Sequence, residues 1–227
     1  IKLPEMNDIS LQNLVDNYAL IKNPELYNTL ENIFEKCNIS KTLTLLELFN
    51  SSGIQLDITS FNMHKCKTII FNYKNYPDLE VLKVLNMTCN LPLLFSPIEF
   101  ENEFYIDGGI IDNYALSYFS YNDPSVIGIR TISTEKFDLD CFEEYLMCIF
   151  KTLVSANDSL QSKHNQNQSI DIIVNEVSVI DFDTSFENIL NLFSLGEKAA
   201  VKFLAEKKQF FFQNNHNDKL KINYISS

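Results

Sequence analysis

The apolar run Phe104-Tyr105-Ile106 leads straight into Asp107-Gly108-Gly109, and two of the chain's five glycines stand side by side there. Adjacent glycines let a backbone turn sharply and lie against a neighbour at a distance that a β-carbon forbids. A carboxylate on such a turn, at the end of a strand, is placed to act as an acid/base group at the mouth of a site. The plain alternative is an Asp-Gly hairpin turn, which composition alone favours. The residues around Asp107 decide between the two.

At 227 residues the chain has the length of one domain with ample core, read here as a single α/β domain over 1–227 with a polar tail at 213–227. Hydrophobic residues make up 45% of it, which marks a folded protein rather than an acidic disordered one. The net charge of −12 argues against nucleic acid, whose phosphates need a basic face. It also disfavours permanent docking on anionic lipid. No apolar run is long enough for a transmembrane segment, and Ile1-Lys2-Leu3-Pro4-Glu5-Met6 has no signal-peptide pattern. The first residue is not Met, so residues upstream are expected. Cysteines 37, 66, 89, 141 and 148 are odd in number and lack metal-ligand spacing. Buried free thiols in a reducing, cytoplasmic compartment are the expectation.

Periodicity gives helices first. Leu11, Leu14, Val15 and Tyr18 share one helical face; Asn23-Pro24 restarts a helix carrying Leu26, Leu30, Ile33 and Phe34. Thr44-Leu45-Leu46-Glu47 is a capping box whose helix Gly53 closes. Residues 54–61 alternate as a strand, with Ile54, Leu56 and Ile58 on one face, and 68–71 form a second. Asp78 is expected to cap a helix with Leu79, Leu82 and Leu85, ended by Pro92 and Pro97. Residues 98–100 and 104–106 read as a hairpin, and Asn113 as the cap of a short helix behind the Asp-Gly-Gly turn. Residues 126–129 read as a buried parallel strand, 139–162 as a helix, 170–177 as a strand and 186–212 as a last helix. Strands alternating with helices indicate an α/β sandwich.

Several of these landmarks fall in one order. Thr44-Leu45-Leu46-Glu47-Leu48 is followed by Thr59-Ser60-Phe61-Asn62, by Thr68-Ile69-Ile70-Phe71 and by Pro92-Leu93-Leu94-Phe95-Ser96-Pro97. Phe104-Tyr105-Ile106-Asp107-Gly108-Gly109 and Asn113 complete the series. In this the chain resembles the acidic-residue half of the patatin-like phospholipase family, well over about residues 10–131 and more loosely at Phe193–Lys198. The resemblance implies a three-layer sandwich with a mostly parallel central sheet and helices on both faces, incomplete at the N-terminus. It also implies a lipid acyl hydrolase with a Ser-Asp dyad, in which the hydroxyl attacks the ester carbonyl and the aspartate takes its proton. Asp107 matches that aspartate, Gly108 and Gly109 its turn, and Asn113 a residue pinning the helix behind it. Asp112 matches a variable position and reads as solvated. The implied partner is a phospholipid or neutral glycerolipid, met in transient, peripheral contact with a membrane surface. No cofactor and no metal is implied.

The nucleophile motif Gly-x-Ser-x-Gly is missing, because glycines 53, 108, 109, 128 and 196 bracket no serine. No glycine-rich oxyanion loop is present either, and the family's proline after Asn113-x is Ala115 here. Both missing parts precede this region in the family, so the expectation is a chain that opens after the nucleophile elbow and is inactive alone. The rivals are an inactive patatin-like pseudoenzyme that binds lipid or protein, and an interaction module in which Asp107-Gly108-Gly109 is only a turn. His64, His164 and His216 lie in polar surroundings and suggest no triad. Asp138/Asp140 and Asp181/Asp183 lack a calcium-loop glycine and read as solvated. Ser51-Ser52-Gly53 reads as a helix end, and Phe203, Phe210 and Phe211 as core residues before lipid contacts.

Overall fold

The computed structural model describes residues 16–21, 24–120, 123–134, 168–174 and 185–213, with isolated helical positions at 145, 148, 149, 152 and 155. Expectations for 11–15, most of 139–162, 214–227, His164, His216, Cys141 and the two Asp pairs lie outside these residues, as do the side chains of Phe210 and Phe211. The chain divides into two compact units, one of residues 1–113 and 149–157, the other of 114–148 and 158–227.

The first unit begins with a short strand β1 (Ala19–Ile21) where a continuing helix was expected; Tyr18, at φ 57, turns the chain out of helical geometry. Pro24 then opens helix α1 (Pro24–Lys36), with Glu25 in its first turn and Lys36 in its last, both favourable to the helix dipole. Helix α2 (Leu45–Ser52) has the full capping box: Glu47 N–H donates to Thr44 Oγ1 at 3.2 Å and Thr44 N–H to Glu47 Oε2 at 2.9 Å. Gly53 closes it at φ 69, donating to Phe49 O at 2.8 Å.

Strand β2 (Ile58–Asn62) is shorter than periodicity suggested. Ile54 and Leu56 are exposed, because the ladder with β3 (Lys67–Phe71) ends at the Ile58–Phe71 pair. Asn72 then donates to Asp57 Oδ1 at 2.7 Å and fixes the chain's exit. Helix α3 (Val81–Thr88) starts two residues later than a cap at Asp78 would give. Leu79 O and Val81 N–H are taken by the backbone of Leu45 and Leu43, which holds 79–81 extended until Glu80. The helix stops at Cys89, ahead of both prolines.

Strand β4 (Leu93–Phe95) pairs parallel with β1, a pairing that three-residue strands do not announce. Strands β5 (Ile98–Phe100) and β6 (Glu103–Asp107) form the expected hairpin. Glu101 (φ 53) and Asn102 (φ 60) both adopt the left-handed conformation that suits a two-residue hairpin loop. The four-stranded sheet runs β3-β2-β6-β5 and is antiparallel throughout. A mostly parallel sheet was expected; the short turns at 63–66 and 101–102 permit only antiparallel neighbours. Phe71, Leu82, Val84 and Met87 are fully buried beneath this sheet, and Phe71 lies 4.7 Å from the Tyr76 ring and 5.6 Å from that of Tyr105.

The second unit pairs β7 (Gly128–Ser133) and β8 (Ser169–Val174) in a parallel ladder over six residue pairs. Arg130 bridges to Asp171 directly across it at 2.7 and 2.9 Å, and its guanidinium lies 5.3 Å from the Tyr114 ring. Helix α4 (Gly109–Asp112), which belongs to the first unit, precedes this segment, and helix α5 (Phe186–Gln213) packs Phe203, Ala199 and Ala200 against Ile170 and Ile172. The parallel strand expected at 126–129 starts at Gly128 instead and is not buried: Ile129 is 65% exposed. The described architecture is thus mixed α/β, with one antiparallel sheet and two parallel pairs.

Among the described residues the expected fully buried thiols are not found. Cys37, Cys66 and Cys89 are exposed and Cys148 is half-buried. Cys37 and Cys66 fall in surface turns after α1 and between β2 and β3, where no core is within reach.

Candidate active site around Asp107

Asp107 is the last residue of β6, opposite Ser60 in the ladder with β2. The strand end is fixed from several sides. Ser60 Oγ donates to Ile106 O at 2.7 Å in the fully buried interior, and Asp107 N–H donates to Asn90 O at 2.9 Å. A β-carbon on Gly108 would stand 2.8 Å from Thr59 O and 2.9 Å from Thr59 C and Oγ1, so only glycine lets the turn lie against that wall. Its φ is −69, so the requirement is space rather than backbone conformation. Thr88 Oγ1 donates to the same Thr59 carbonyl at 2.6 Å and ties the end of α3 to the wall.

Gly109 N–H donates to Asp107 Oδ1 at 2.7 Å and sets the carboxylate's rotamer. A β-carbon at Gly109 would lie 3.0 Å from both Asp107 Oδ1 and Asn113 Oδ1, so this glycine is the cleft between the two side chains. Helix α4 is one turn long, with Ile111 and Asp112 N–H donating to Gly108 O at 3.2 and 3.0 Å. Asn113 stands at the carboxyl end of this short helix behind the turn, as its C-cap; the next turn, a 3-10 helix at Ala115–Tyr118, begins from Tyr114. Asp112 is only 8% exposed, against the solvated position expected, because the helix turns its side chain inward.

Burial pushes the Asp107 carboxyl up, the Gly109 N–H pulls it partly back, and the balance leaves it at about 6. Cys89 belongs to the same neighbourhood. Although the residue reaches solvent, its thiol is pushed up by desolvation and then by the Asp107 charge. A carboxylate tuned to this range is still mostly ionised at neutral pH, yet basic enough to take a proton from a hydroxyl. Two of the hydroxyls packed round the turn are engaged elsewhere: Ser60 is fully buried on Ile106 O, and Thr88 donates to Thr59 O.

The structure brings Asp107, Gly108, Gly109 and Asn113 together. His64 is at the other end of β6, where its Nδ1 accepts from Phe104 N–H at 3.1 Å. Ser52 is a helix-end residue whose Oγ donates to Leu48 O at 2.7 Å. Sequence reasoning missed Asn90 and Cys89, which sit between a helix end and a proline with no periodic or motif signal. A polar residue straight after an apolar helix was the one available hint.

A family model described as patatin-like phospholipase matches residues 4–120. A probable lipid hydrolase of Invertebrate iridescent virus 6 is 36% identical over 98 residues, covering 43% of this chain and 34% of that protein. An uncharacterized protein of Acanthamoeba polyphaga mimivirus is 24% identical over 209 residues, covering 86% of this chain and 70% of its own. Among solved structures, VipD from Legionella pneumophila aligns with a TM-score of 0.52 at 16% identity, over 73% of this chain and 35% of VipD, a likeness of fold alone. The alignments thus span about a third of the length of the iridescent-virus protein and of VipD. The family model covers just over half of the chain, which therefore belongs to the patatin-like phospholipase family.

Proposed function

We propose that this chain supplies the acid/base half of a lipid acyl hydrolase, with Asp107 as the aspartate of a Ser-Asp dyad. One observation carries the reading. In a patatin-like chain, the aspartate of the Asp-Gly-Gly turn is desolvated, held by Gly109 N–H and raised to about 6, a value suited to a base near neutral pH. The serine hydroxyl attacks the ester carbonyl while its proton passes to Asp107, and the proton then goes to the departing alcohol. Water attacks the acyl-serine in the second half, its proton again taken by Asp107 and returned to the serine. Gly108 and Gly109 keep the turn compact enough for the carboxylate to reach a second backbone, and Asn113 steadies it from behind.

The nucleophile and its oxyanion donors are assigned to polypeptide outside residues 1–227, since none of the five glycines brackets a serine. The substrate class is a phospholipid or neutral glycerolipid, approached at a membrane surface in the cytoplasm. No described helix is long and apolar enough to cross a membrane. The test is hydrolysis of short-chain aryl esters and of mixed phospholipid vesicles. Residues 1–227 alone should be inactive, and a longer form carrying Gly-x-Ser-x-Gly active, with activity lost on Asp107→Asn. Hydrolysis by residues 1–227 that disappears with Asp107→Asn would contradict the assignment of the nucleophile. An inactive longer form that still binds the vesicles would support the pseudoenzyme reading.

A further inference from the structure

The β5–β6 ladder pairs Ile98 with Tyr105, Glu99 with Phe104 and Phe100 with Glu103. The same register carried on by two residues puts Ser96 opposite Asp107. That pair is not made: the ladder ends at Ile98 and Tyr105. Asn90 stands in the gap. Its backbone carbonyl accepts from Asp107 N–H at 2.9 Å, and its side-chain Nδ2 donates to Ser96 O at 2.6 Å. We propose that Asn90 is the positioning residue of Asp107, a spacer inserted between β5 and the end of β6 that opens the sheet there and fixes the main chain from which the carboxylate projects. This rests on the reading of Asp107 as the dyad base.

Three observations support a role beyond filling space. Asn90 is fully buried, and its Oδ1 has no hydrogen-bond partner among the described residues. A buried, unpaired carbonyl oxygen is a cost that leucine, of similar volume, would avoid, so the residue is held for its donor. Aspartate has no such donor, and glutamine is one carbon too long for a gap already closed at 2.6 Å. The segment is also tied twice to the site: Thr88 to the Thr59 wall behind Gly108, and Asn90 to Asp107 itself. Asp107 is thereby clamped between Ser60 on one side and Asn90 on the other.

The test uses the 227-residue chain and does not depend on catalysis. The Asp107 carboxyl is followed by carbon-13 NMR through a pH titration in the unmodified chain, in Asn90→Leu and Asn90→Ser, and in Asn72→Leu. Asn72 is a buried, hydrogen-bonded asparagine held on Asp57, beyond the β2–β3 pair, and serves as the control. Cys89, the titratable neighbour coupled to Asp107, is left in place in every variant. Both Asn90 substitutions should move the Asp107 midpoint by about half a pH unit or more, since the carboxylate's burial and its Gly109 bond both change. Asn72→Leu should leave it in place. If Asn90→Leu does not fold, Asn90→Ser, smaller and still polar but short of Ser96 O, carries the measurement. Folded Asn90 variants with an unmoved midpoint overturn the proposal. In a longer, active form, Asn90→Ser should lower kcat by about tenfold with KM little changed, the pattern of misplacement. If Asp107→Asn leaves that form active, the dyad reading fails while the titration result on Asn90 stands.

Discussion

The two units of this chain are built to different standards. In the first, β3 and α3 pack Phe71, Leu82, Val84 and Met87 wholly out of solvent, and Tyr105 of β6 joins the same cluster. In the second, the described buried apolar residues are Tyr114, Leu116, Ile170, Val174 and Phe203, none of them wholly out of solvent, while Ile173 is 56% and Phe193 77% exposed. The two described parallel strands and the described long helix hold little apolar surface between them, and a two-stranded ladder is marginal by itself. The difference bears on function. A carboxylate raised by desolvation needs surroundings that cannot relax to let water in, and Asp107 has them in the first unit, at a strand end fastened by Ser60, Asn90, Thr59 and Gly109.

The largest effect should come from the better-packed unit. Phe71→Ala should cost about 3–5 kcal/mol in chemical denaturation, whereas Phe203→Ala in the second unit should cost less, near the low end of that range or under it. Equal losses would erase the contrast. Next in size is a stabilisation. The folded pKa of Asp107 lies near 6, above the ordinary 3.8, so the folded state binds this proton more tightly than the unfolded one. Nothing is lost below pH 3.8; a penalty grows between 3.8 and 6 and is complete above it, at most about 3 kcal/mol. Asp107→Asn should therefore raise Tm at pH 8 and leave it unchanged at pH 3, measured by calorimetry at both. Gly108→Ala should cost about 1–3 kcal/mol, because its new methyl meets backbone at Thr59 that cannot step aside, and hydrogen exchange at Asp107 and Gly109 should quicken. The smallest is a rate. Removing the Asp107 charge lowers the Cys89 thiol, so iodoacetamide at pH 8 should modify Cys89 about twofold faster in Asp107→Asn, with Cys37 and Cys66 unaffected.

What was legible in the sequence was what depends on near neighbours. The Thr44–Glu47 capping box, the Gly53 cap, the Glu101-Asn102 hairpin and the Asp107-Gly108-Gly109 turn all rest on residues within a few positions of one another. What escaped depends on distant pairing. Strands β1 and β4 are three residues each and exist only because they find one another across some seventy residues. Helix α3 starts late because 79–81 are claimed by 43–45, which no local propensity foretells. Asp112 and Asn90 are polar residues in the interior, so hydropathy points the wrong way for both. The isoleucines at 127 and 129 have the pattern of a buried strand, yet they face solvent among the described residues. Within the site, the aspartate and its glycines were readable, and the asparagine that spaces the strand end was not.

The titration of Asp107 itself bears most directly on the claim that this strand end holds a base poised near neutral pH. With carbon-13 label in aspartate and Asp107→Asn for assignment, the carboxyl resonance of the unmodified chain should titrate with a midpoint near 6. A midpoint near 3.8, the ordinary aspartate value, would mean that the carboxylate is solvated and that the turn is only a turn.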